Sequence, residues 1–211
     1  MKGIVIVGAG GFGKEVAWMA MRCGREVKGF LDSTPEKQNT KIMGIDVLGP
    51  IEAAEEYIDC EFLIAIGSPR SRKKIVENFF NGEHFKFATL IDPLAVVGET
   101  VSIAEGTMIC TGAILTVDID VGRHSIININ CTIGHDVKIK DFVTIAPNAS
   151  VSGNIELGNC TEVGTNATLR EKLVIKDGAM IGMGAVLTKD VEINHVMIGN
   201  PAKFLKFIEP I

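Results

Sequence analysis

The sequence predicts two structural classes in one chain: an α/β domain over residues 1–90 and an all-β parallel β-helix domain over residues 91–211. Two observations carry this prediction. Strands and helices alternate through the first part, and a six-residue aliphatic repeat runs unbroken from residue 97 to residue 192. The composition agrees, because 23 Gly and 46% hydrophobic residues, with only one Trp and one Tyr, favour aliphatic strands and tight turns.

The first part has the alternation that is typical of a parallel sheet. Strands are predicted over 3–7, 27–31, 42–48 and 62–66, and helices over 14–23, 51–57 and 70–80. Between the first strand and the first helix lies Gly8-x-Gly10-x-x-Gly13, a spacing that can direct backbone N–H groups at a phosphate. Asp32 ends the second strand, where such folds contact a ribose or base. The unit is too short for a dinucleotide, so a Rossmann-like half domain for one nucleotide is predicted; a simple tight turn is the alternative.

The second part has an aliphatic residue at every sixth position, sixteen times without a miss. These positions are Val97, Ile103, Ile109, Leu115, Val121, Ile127, Ile133, Ile139, Ile145, Val151, Leu157, Val163, Leu169, Ile175, Ile181 and Leu187. The fourth residue after each is small or aliphatic, and Gly often follows directly. This repeat predicts a coil with three flat faces, in which the aliphatic residue points inward and residues 18 apart stack one rung apart. Gly or Asn is expected to take the turn conformations.

Charge and cysteine content exclude several classes of protein. The net charge is −5 with a pI of about 5.4, and no basic stripe is visible, which argues against a nucleic-acid partner. The apolar part of the N-terminal segment is too short for membrane insertion. The five cysteines are widely spaced and lack a metal-binding spacing, so reduced thiols in a cytoplasmic protein without a metal are expected.

Together, the glycine-rich unit and the repeat resemble the hexapeptide-repeat sugar acetyltransferases, the group of the nucleotide-amino-sugar N-acetyltransferases and the sialic acid O-acetyltransferases. The resemblance covers essentially the whole chain and rests on Gly10-Gly11-Phe12-Gly13, Phe30-Leu31-Asp32, Ile66-Gly67 with Arg72, Gly134-His135-Asp136, Gly153-Asn154 and Gly199-Asn200-Pro201-Ala202-Lys203. It implies a left-handed β-helix, a homotrimer and acetyl-CoA as co-substrate. The implied reaction is N-acetylation of a nucleotide-linked amino sugar in surface polysaccharide biosynthesis. O-acetylation of a sugar hydroxyl and a non-catalytic nucleotide-sugar-binding scaffold remain alternatives.

Acetyl transfer needs a base for the acceptor and a hydrogen-bond donor for the thioester oxygen. The resemblance implies that His135 is the base, Asp136 orients it, and the N–H of Gly153, 18 residues later, is the donor. Adjacent residues on an extended strand face opposite sides, so the His135–Asp136 pair requires a bend at a coil corner. The other histidines are expected at the surface: His84, His124 and His195.

The resemblance also implies the binding residues. Substrate contacts are expected from Gly10, Gly11, Phe12, Asp32, Ser33, Gly67, Arg72 and Asn128. Acetyl-CoA contacts are expected from Thr144, Thr165 and Met183, the last two being 18 residues apart and therefore stacked. The chain departs from the family pattern at Phe12, where Gly-His-Gly is common, and at Thr144, where a second histidine is common. Both departures put the identity of the acceptor in doubt more than the type of reaction.

Overall fold

The computed structural model describes residues 2–210, and its first part is a parallel sheet with two α-helices. In chain order it contains β1 (Ile4–Val7), α1 (Gly11–Arg22), β2 (Val27–Leu31), a 3-10 turn (Pro35–Lys37), β3 (Lys41–Ile42), β4 (Ile45–Gly49), a 3-10 helix (Ile51–Tyr57), β5 (Glu61–Ile64) and α2 (Pro69–Phe79). The strand order is β3-β4-β2-β1-β5. Strands β3 and β4 pair antiparallel, and the other neighbours in this sheet pair in parallel. The predicted α/β class is therefore confirmed.

One predicted strand of this part divides into two. The segment expected as a strand over 42–48 is a hairpin, because Met43 and Gly44 both take the left-handed conformation, with φ of 54° and 78°. Two consecutive residues of positive φ make the tight turn whose twist suits a two-stranded hairpin. The hairpin forms one edge of the sheet, beside the parallel strands β2, β1 and β5, of which β5 is the opposite edge.

The second part is a three-sided parallel β-helix of two-residue strands. Face one contains β6 (Leu90–Ile91), β9 (Met108–Ile109), β12 (Ile126–Ile127), β15 (Thr144–Ile145), β18 (Glu162–Val163) and β21 (Met180–Ile181). Face two contains β7 (Val96–Val97), β10 (Ile114–Leu115), β13 (Thr132–Ile133), β16 (Ser150–Val151), β19 (Thr168–Leu169) and β22 (Val186–Leu187). Face three contains β8 (Ser102–Ile103), β11 (Asp120–Val121), β14 (Lys138–Ile139), β17 (Glu156–Leu157) and β20 (Val174–Ile175). Strands 18 residues apart pair in parallel, as Thr132 and Ser150 do.

The six-residue repeat forms the core of the β-helix. From Ile109 to Leu187, every repeat position is at most 3% exposed. The repeat then ends, because the next coil is two residues shorter and Val191 lies beside Ile175. Consequently Ile193, which the six-residue period would place inside, is 54% exposed. The chain closes with β23 (His195–Ile198), parallel to β21, and β24 (Lys203–Phe207), antiparallel to β23.

The turns of the β-helix confirm the expected residue types in part. The left-handed conformation falls on the third residue after the repeat position. This residue is a glycine or asparagine at Gly106, Gly112, Asn130, Asn148, Asn154, Asn166, Gly178 and Gly184, and another residue type at Asp118, His124, Asp136, Phe142, Cys160 and Lys172. The glycine that directly follows the repeat position serves another purpose, which is close approach between coils. At Gly134, for example, a Cβ would lie 2.7 Å from the backbone N of Gly153 on the next coil.

Face one of the β-helix is covered by the α/β part. The outward residues Met108 and Ile126 are fully buried there, in one cluster with Val16 and Met19 of α1. The outward positions of face three are polar and exposed over the equivalent coils, at Asp120, Lys138 and their neighbours. Within residues 2–210, no helix combines the length and the apolar character needed to cross a membrane.

Candidate active site

The proposed base lies at the corner between faces two and three, residues 134–137, here termed the His135 corner. The Nδ1 atom of His135 lies 2.7 Å from Oδ2 of Asp136. This pairing of neighbours is possible because Asp136 has φ of 58°, the left-handed bend that turns its carboxylate back toward the imidazole. Both side chains are more than half exposed, at 59% and 53%, so the ring is accessible to a ligand.

Gly153 lies one coil further along the same corner, directly against the imidazole. A Cβ on Gly153 would meet Nε2 of His135 at 2.6 Å and Cε1 at 2.7 Å. The neighbouring N–H of Asn154 donates to the carbonyl of His135 at 2.8 Å, which fixes the spacing of the two coils. The N–H of Gly153 donates to no acceptor among residues 2–210. The structure thus brings a paired histidine and a free backbone donor together at one corner.

The glycine-rich loop lies at the carboxyl edge of the parallel sheet. Gly13 permits close packing of α1 on the loop, because a Cβ there would lie 2.0 Å from the carbonyl oxygen of Gly8. Gly10 and Gly11 are exposed with open space around them, and Phe12 beside them is half-buried. The first turn of α1 contains no acidic residue. Its N-terminus can therefore receive an anion such as a phosphate.

Asp32 ties this loop to the end of β2. Its carboxylate accepts from the N–H groups of Ala9 at 2.8 Å and Thr34 at 3.0 Å, and it pairs with Lys37 at 2.8 Å. Burial alone would raise its pKa, but the hydrogen bonds from Lys37, Thr34 and Ala9 lower it to about 2. Lys37 was not anticipated from the sequence, although its position five residues after Asp32 places a cation at the edge of the loop. Ser33, next to Asp32, is exposed; its hydroxyl donates to the carboxylate of Glu52 and accepts from the N–H of Ile51.

Arg72 and Thr144 require a correction. Arg72 is 0% exposed and donates only to oxygens of the protein, so it does not reach a substrate. Thr144 is 6% exposed because it faces the α/β part. There its hydroxyl accepts from Nη2 of Arg72 and donates to the carbonyl of Gly67 at 2.7 Å. The prediction that Thr144 contacts acetyl-CoA is therefore wrong. Gly67 itself is exposed at the carboxyl edge of the sheet.

The remaining predicted contacts lie at the corner between faces one and two, which is termed the Asn128 corner. Asn128 is half-buried, and its side-chain oxygen accepts from the N–H of Ile129 at 2.8 Å. Thr165 and Met183 stack at this corner on later coils, since the N–H of Gly184 donates to the carbonyl of Thr165. Met183 is 79% exposed. This corner lies across face two from the His135 corner.

His124 is not at the surface, contrary to the prediction. It is 4% exposed, stacked on Phe142 at 5.0 Å and edge-on to Phe87 at 4.5 Å. Its Nδ1 is buried without a hydrogen-bond partner among residues 2–210. His84 is exposed beside Glu55, and His195 is half-buried against the rings of β24.

Because His124 is buried, it should make the fold sensitive to mild acid. Burial, and then the charges of Arg72 and Arg123, lower its pKa from 6.5 to about 4, while Asp141 opposes them. Between these two pH values the unfolded chain takes up a proton that the folded chain does not, so stability falls as the pH falls through that window. The total loss is on the order of 3 kcal/mol.

We expect His124→Asn, which suits the left-handed φ of 53°, to flatten this pH dependence. The measurement is the free energy of urea unfolding from about pH 7 down to pH 4. The Asp32 carboxylate titrates lower, between 3.8 and about 2, and does not interfere. Parallel curves for the variant and the wild type would assign the acid sensitivity to other groups.

The chain is similar to known proteins in sequence and in structure. Residues 3–79 match the PglD N-terminal domain family. A stretch of 115 residues is 36% identical to UDP-N-acetylbacillosamine N-acetyltransferase of Bacillus subtilis, and it covers 52% of this chain and 51% of that protein. The chain thus aligns with about half the length of this curated relative. Among residues 2–210, no group of three or more His, Cys, Asp or Glu residues is arranged to hold a metal ion.

Two solved structures match nearly the whole chain. The acetyltransferase domain of PglB from Neisseria gonorrhoeae superposes with a TM-score of 0.90 and 30% identity, over 97% of this chain and 100% of that one. The same domain in complex with acetyl coenzyme A gives a TM-score of 0.89, with 31% identity over 97% and 99% of the two chains. A mutant of perosamine N-acetyltransferase from Caulobacter crescentus, in complex with CoA and GDP-perosamine, gives a TM-score of 0.88, with 25% identity over 98% of each chain.

Proposed function

The chain belongs to the hexapeptide-repeat sugar acetyltransferases, and from this premise we propose that it transfers an acetyl group from acetyl-CoA to the amino group of a nucleotide-linked sugar. One observation carries the proposal. His135 is paired with Asp136 at 2.7 Å and lies against Gly153, whose N–H is free among residues 2–210. The relatives support the substrates, because one structure holds acetyl coenzyme A and another holds CoA with GDP-perosamine.

The reaction follows from the roles of these three residues. Asp136 accepts a hydrogen bond from Nδ1–H of His135, so Nε2 is the basic nitrogen. As the sugar amine attacks the thioester carbonyl, Nε2 removes a proton from that amine. The N–H of Gly153 stabilises the resulting oxyanion. When the tetrahedral intermediate collapses, the carbon–sulfur bond breaks and the imidazolium returns its proton to the departing CoA thiolate.

The nucleotide is assigned to the carboxyl edge of the α/β sheet. The exposed N–H groups at Gly10 and Gly11 suit a phosphate, and Asp32 with Ser33 lies where such folds contact a ribose or base. Acetyl-CoA is assigned to the stacked Thr165 and Met183. The five free cysteines support a cytoplasmic location, where thiols stay reduced.

A complete site calls for more than one copy of the chain. Asn128 and His135 lie at opposite edges of face two, roughly 15–20 Å apart by the rise of an extended strand. A single sugar that contacts both must therefore use Asn128 of one protomer and His135 of its neighbour. The outward surface of face two and its two corners is suited to such packing, since Val96 on the face is 60% exposed and Leu94 and Val117 in the corners are 64% and 49% exposed. We infer a homotrimer, the arrangement that closes three three-sided coils about one axis.

We expect light scattering at micromolar concentration to give three times the mass of 22.6 kDa. Replacement of the apolar contact by charge, as in Val96→Glu, should lower that mass because desolvating an unpaired carboxylate in an interface is costly. The variant Val174→Glu is a matched control, since Val174 is a comparably exposed valine on face three, at 43%. A monomeric mass for the unaltered chain would contradict the trimer.

The proposed reaction is tested by release of CoA thiol from acetyl-CoA. The acceptors are UDP- and GDP-linked amino sugars, with the corresponding free amino sugars as controls. The proposal expects turnover that requires the nucleotide and a product that survives mild base, because an amide is stable where an O-acetyl ester is hydrolysed. A base-labile product would indicate O-acetylation. Thermal stabilisation by a nucleotide, with no response to acetyl-CoA and no turnover, would indicate a binding scaffold.

A further inference from the structure

Arg72 joins the two parts of the chain through one buried guanidinium. Its Nε donates to the carbonyl of His124 at 2.7 Å, and Nη1 donates to the carbonyls of Ile66 and Gly67. Its Nη2 donates to Oγ1 of Thr144 at 2.9 Å, and also to the carbonyls of Phe142 and Val143. A single side chain therefore connects the loop after β5 with two successive coils of the β-helix.

The charge of Arg72 has no carboxylate in this set of partners. Burial lowers its pKa to about 9, and its acceptors are carbonyl and hydroxyl oxygens. A buried ion is a costly way to hold two surfaces together, and apolar packing of similar volume often stabilises a protein as well or better. What the planar guanidinium adds is geometry, because its donors satisfy acceptors only in one relative placement.

The loop held by Arg72 lies beside the glycine-rich loop. A Cβ on Gly8 would meet Cδ1 of Ile66 at 2.7 Å and the carbonyl oxygen of Ala65 at 3.1 Å, so the two loops are in close contact. Thr144 also donates to the carbonyl of Gly67 at 2.7 Å. The position of the proposed nucleotide site relative to the β-helix is thus fixed through Ile66 and Gly67.

We propose that Arg72 and Thr144 are positioning residues, which fix the nucleotide site on the α/β part relative to the β-helix and so to the corners that supply Asn128 and His135 in the assembled site. The proposal rests on the function proposed above. It predicts a specific defect: the amine of the acceptor is delivered less accurately, whereas acetyl-CoA, bound at the Asn128 corner, is unaffected. A purely structural role predicts a lower melting temperature with unchanged kinetics below it.

The decisive variant is Thr144→Val, which preserves volume and removes the hydroxyl. We expect kcat/KM for the nucleotide-sugar acceptor to fall about tenfold, because the hydroxyl loses two buried hydrogen bonds, one from Arg72 and one to the carbonyl of Gly67, while KM for acetyl-CoA stays within about twofold. Thr144→Ser restores the hydroxyl and should recover most of the loss. Arg123→Ala is the matched control, since it removes an exposed ion pair with Asp141 on an adjacent coil.

Hydrogen exchange provides a readout that does not depend on turnover. In Thr144→Val, amides of residues 65–68 and 8–13 should exchange faster, whereas those of 132–137 should be unchanged. Unchanged exchange at 65–68, or an unchanged acceptor kcat/KM with only a lower melting temperature, would overturn the positioning role. If the unaltered chain acetylates none of the tested acceptors, the proposed function fails, and the exchange result alone still decides whether Thr144 holds the loop.

Discussion

Replacement of His135 by alanine is expected to lower turnover of the acceptor by about 10²–10⁴-fold, the range typical of a lost general base. The imidazole is exposed at 59%, paired with Asp136 and free to take a proton at Nε2. KM for acetyl-CoA should be unchanged, because the proposed CoA contacts come from Thr165 and Met183, whereas His135 acts on the acceptor amine. The measurement is kcat and both KM values by CoA release, at saturating levels of the second substrate.

Two further variants sharpen this result. Asp136→Asn should cost less than His135→Ala, since Asp136 orients the imidazole and does not itself take the proton. His84→Ala is the control, because that histidine is exposed on the α/β part beside Glu55. Turnover of His135→Ala within about threefold of the unaltered enzyme would be inconsistent with a general base. His124 could not replace it, because that ring is buried behind Phe142 and Phe87.

The architecture could be predicted because the information is local and repeated. Each coil of the β-helix has an inward aliphatic residue at every sixth position. Parallel pairing of residues 18 apart follows from this repeat. The same spacing places Gly153 over His135. What the period does not determine is which residue of each corner bends. The left-handed conformation of Asp136 gives the histidine its partner, and Asp136 lies two residues after Gly134, the glycine of the sequence repeat.

The packing of the two parts could not be predicted in this way, because it joins residues far apart in the chain. Arg72 meets carbonyls 52 to 71 positions away, and no periodicity connects them. One signal was nevertheless present. The outward positions Met108 and Ile126 on face one are apolar, whereas Asp120 and Lys138 occupy those positions on face three. When the inward and the outward residues of neighbouring strands are both apolar, the outer surface of that face is expected to be covered. This rule would have predicted that Thr144, on the next strand of face one, is buried.

Gly153→Ala should be nearly as damaging to catalysis as removal of the base. The added methyl group would lie 2.6 Å from Nε2 of His135, so the imidazole must leave its place beside Asp136. The backbone N–H is retained, and the φ of Gly153 lies outside the left-handed region, so alanine introduces no backbone strain there. A displacement of the base by about 1 Å can cost 10²-fold in rate, and we expect a fall of that order in kcat.

The double variant His135→Ala/Gly153→Ala separates displacement of the ring from damage to the oxyanion donor. If the methyl group acts by moving the imidazole, it has nothing to displace once residue 135 is alanine, and the double variant should match His135→Ala. A further loss of about 10²-fold in the double variant would mean that the substitution disturbs the N–H of Gly153 itself. Equal activities would instead assign to Gly153 a second role besides its N–H: the absence of a side chain leaves room for the ring that takes the proton.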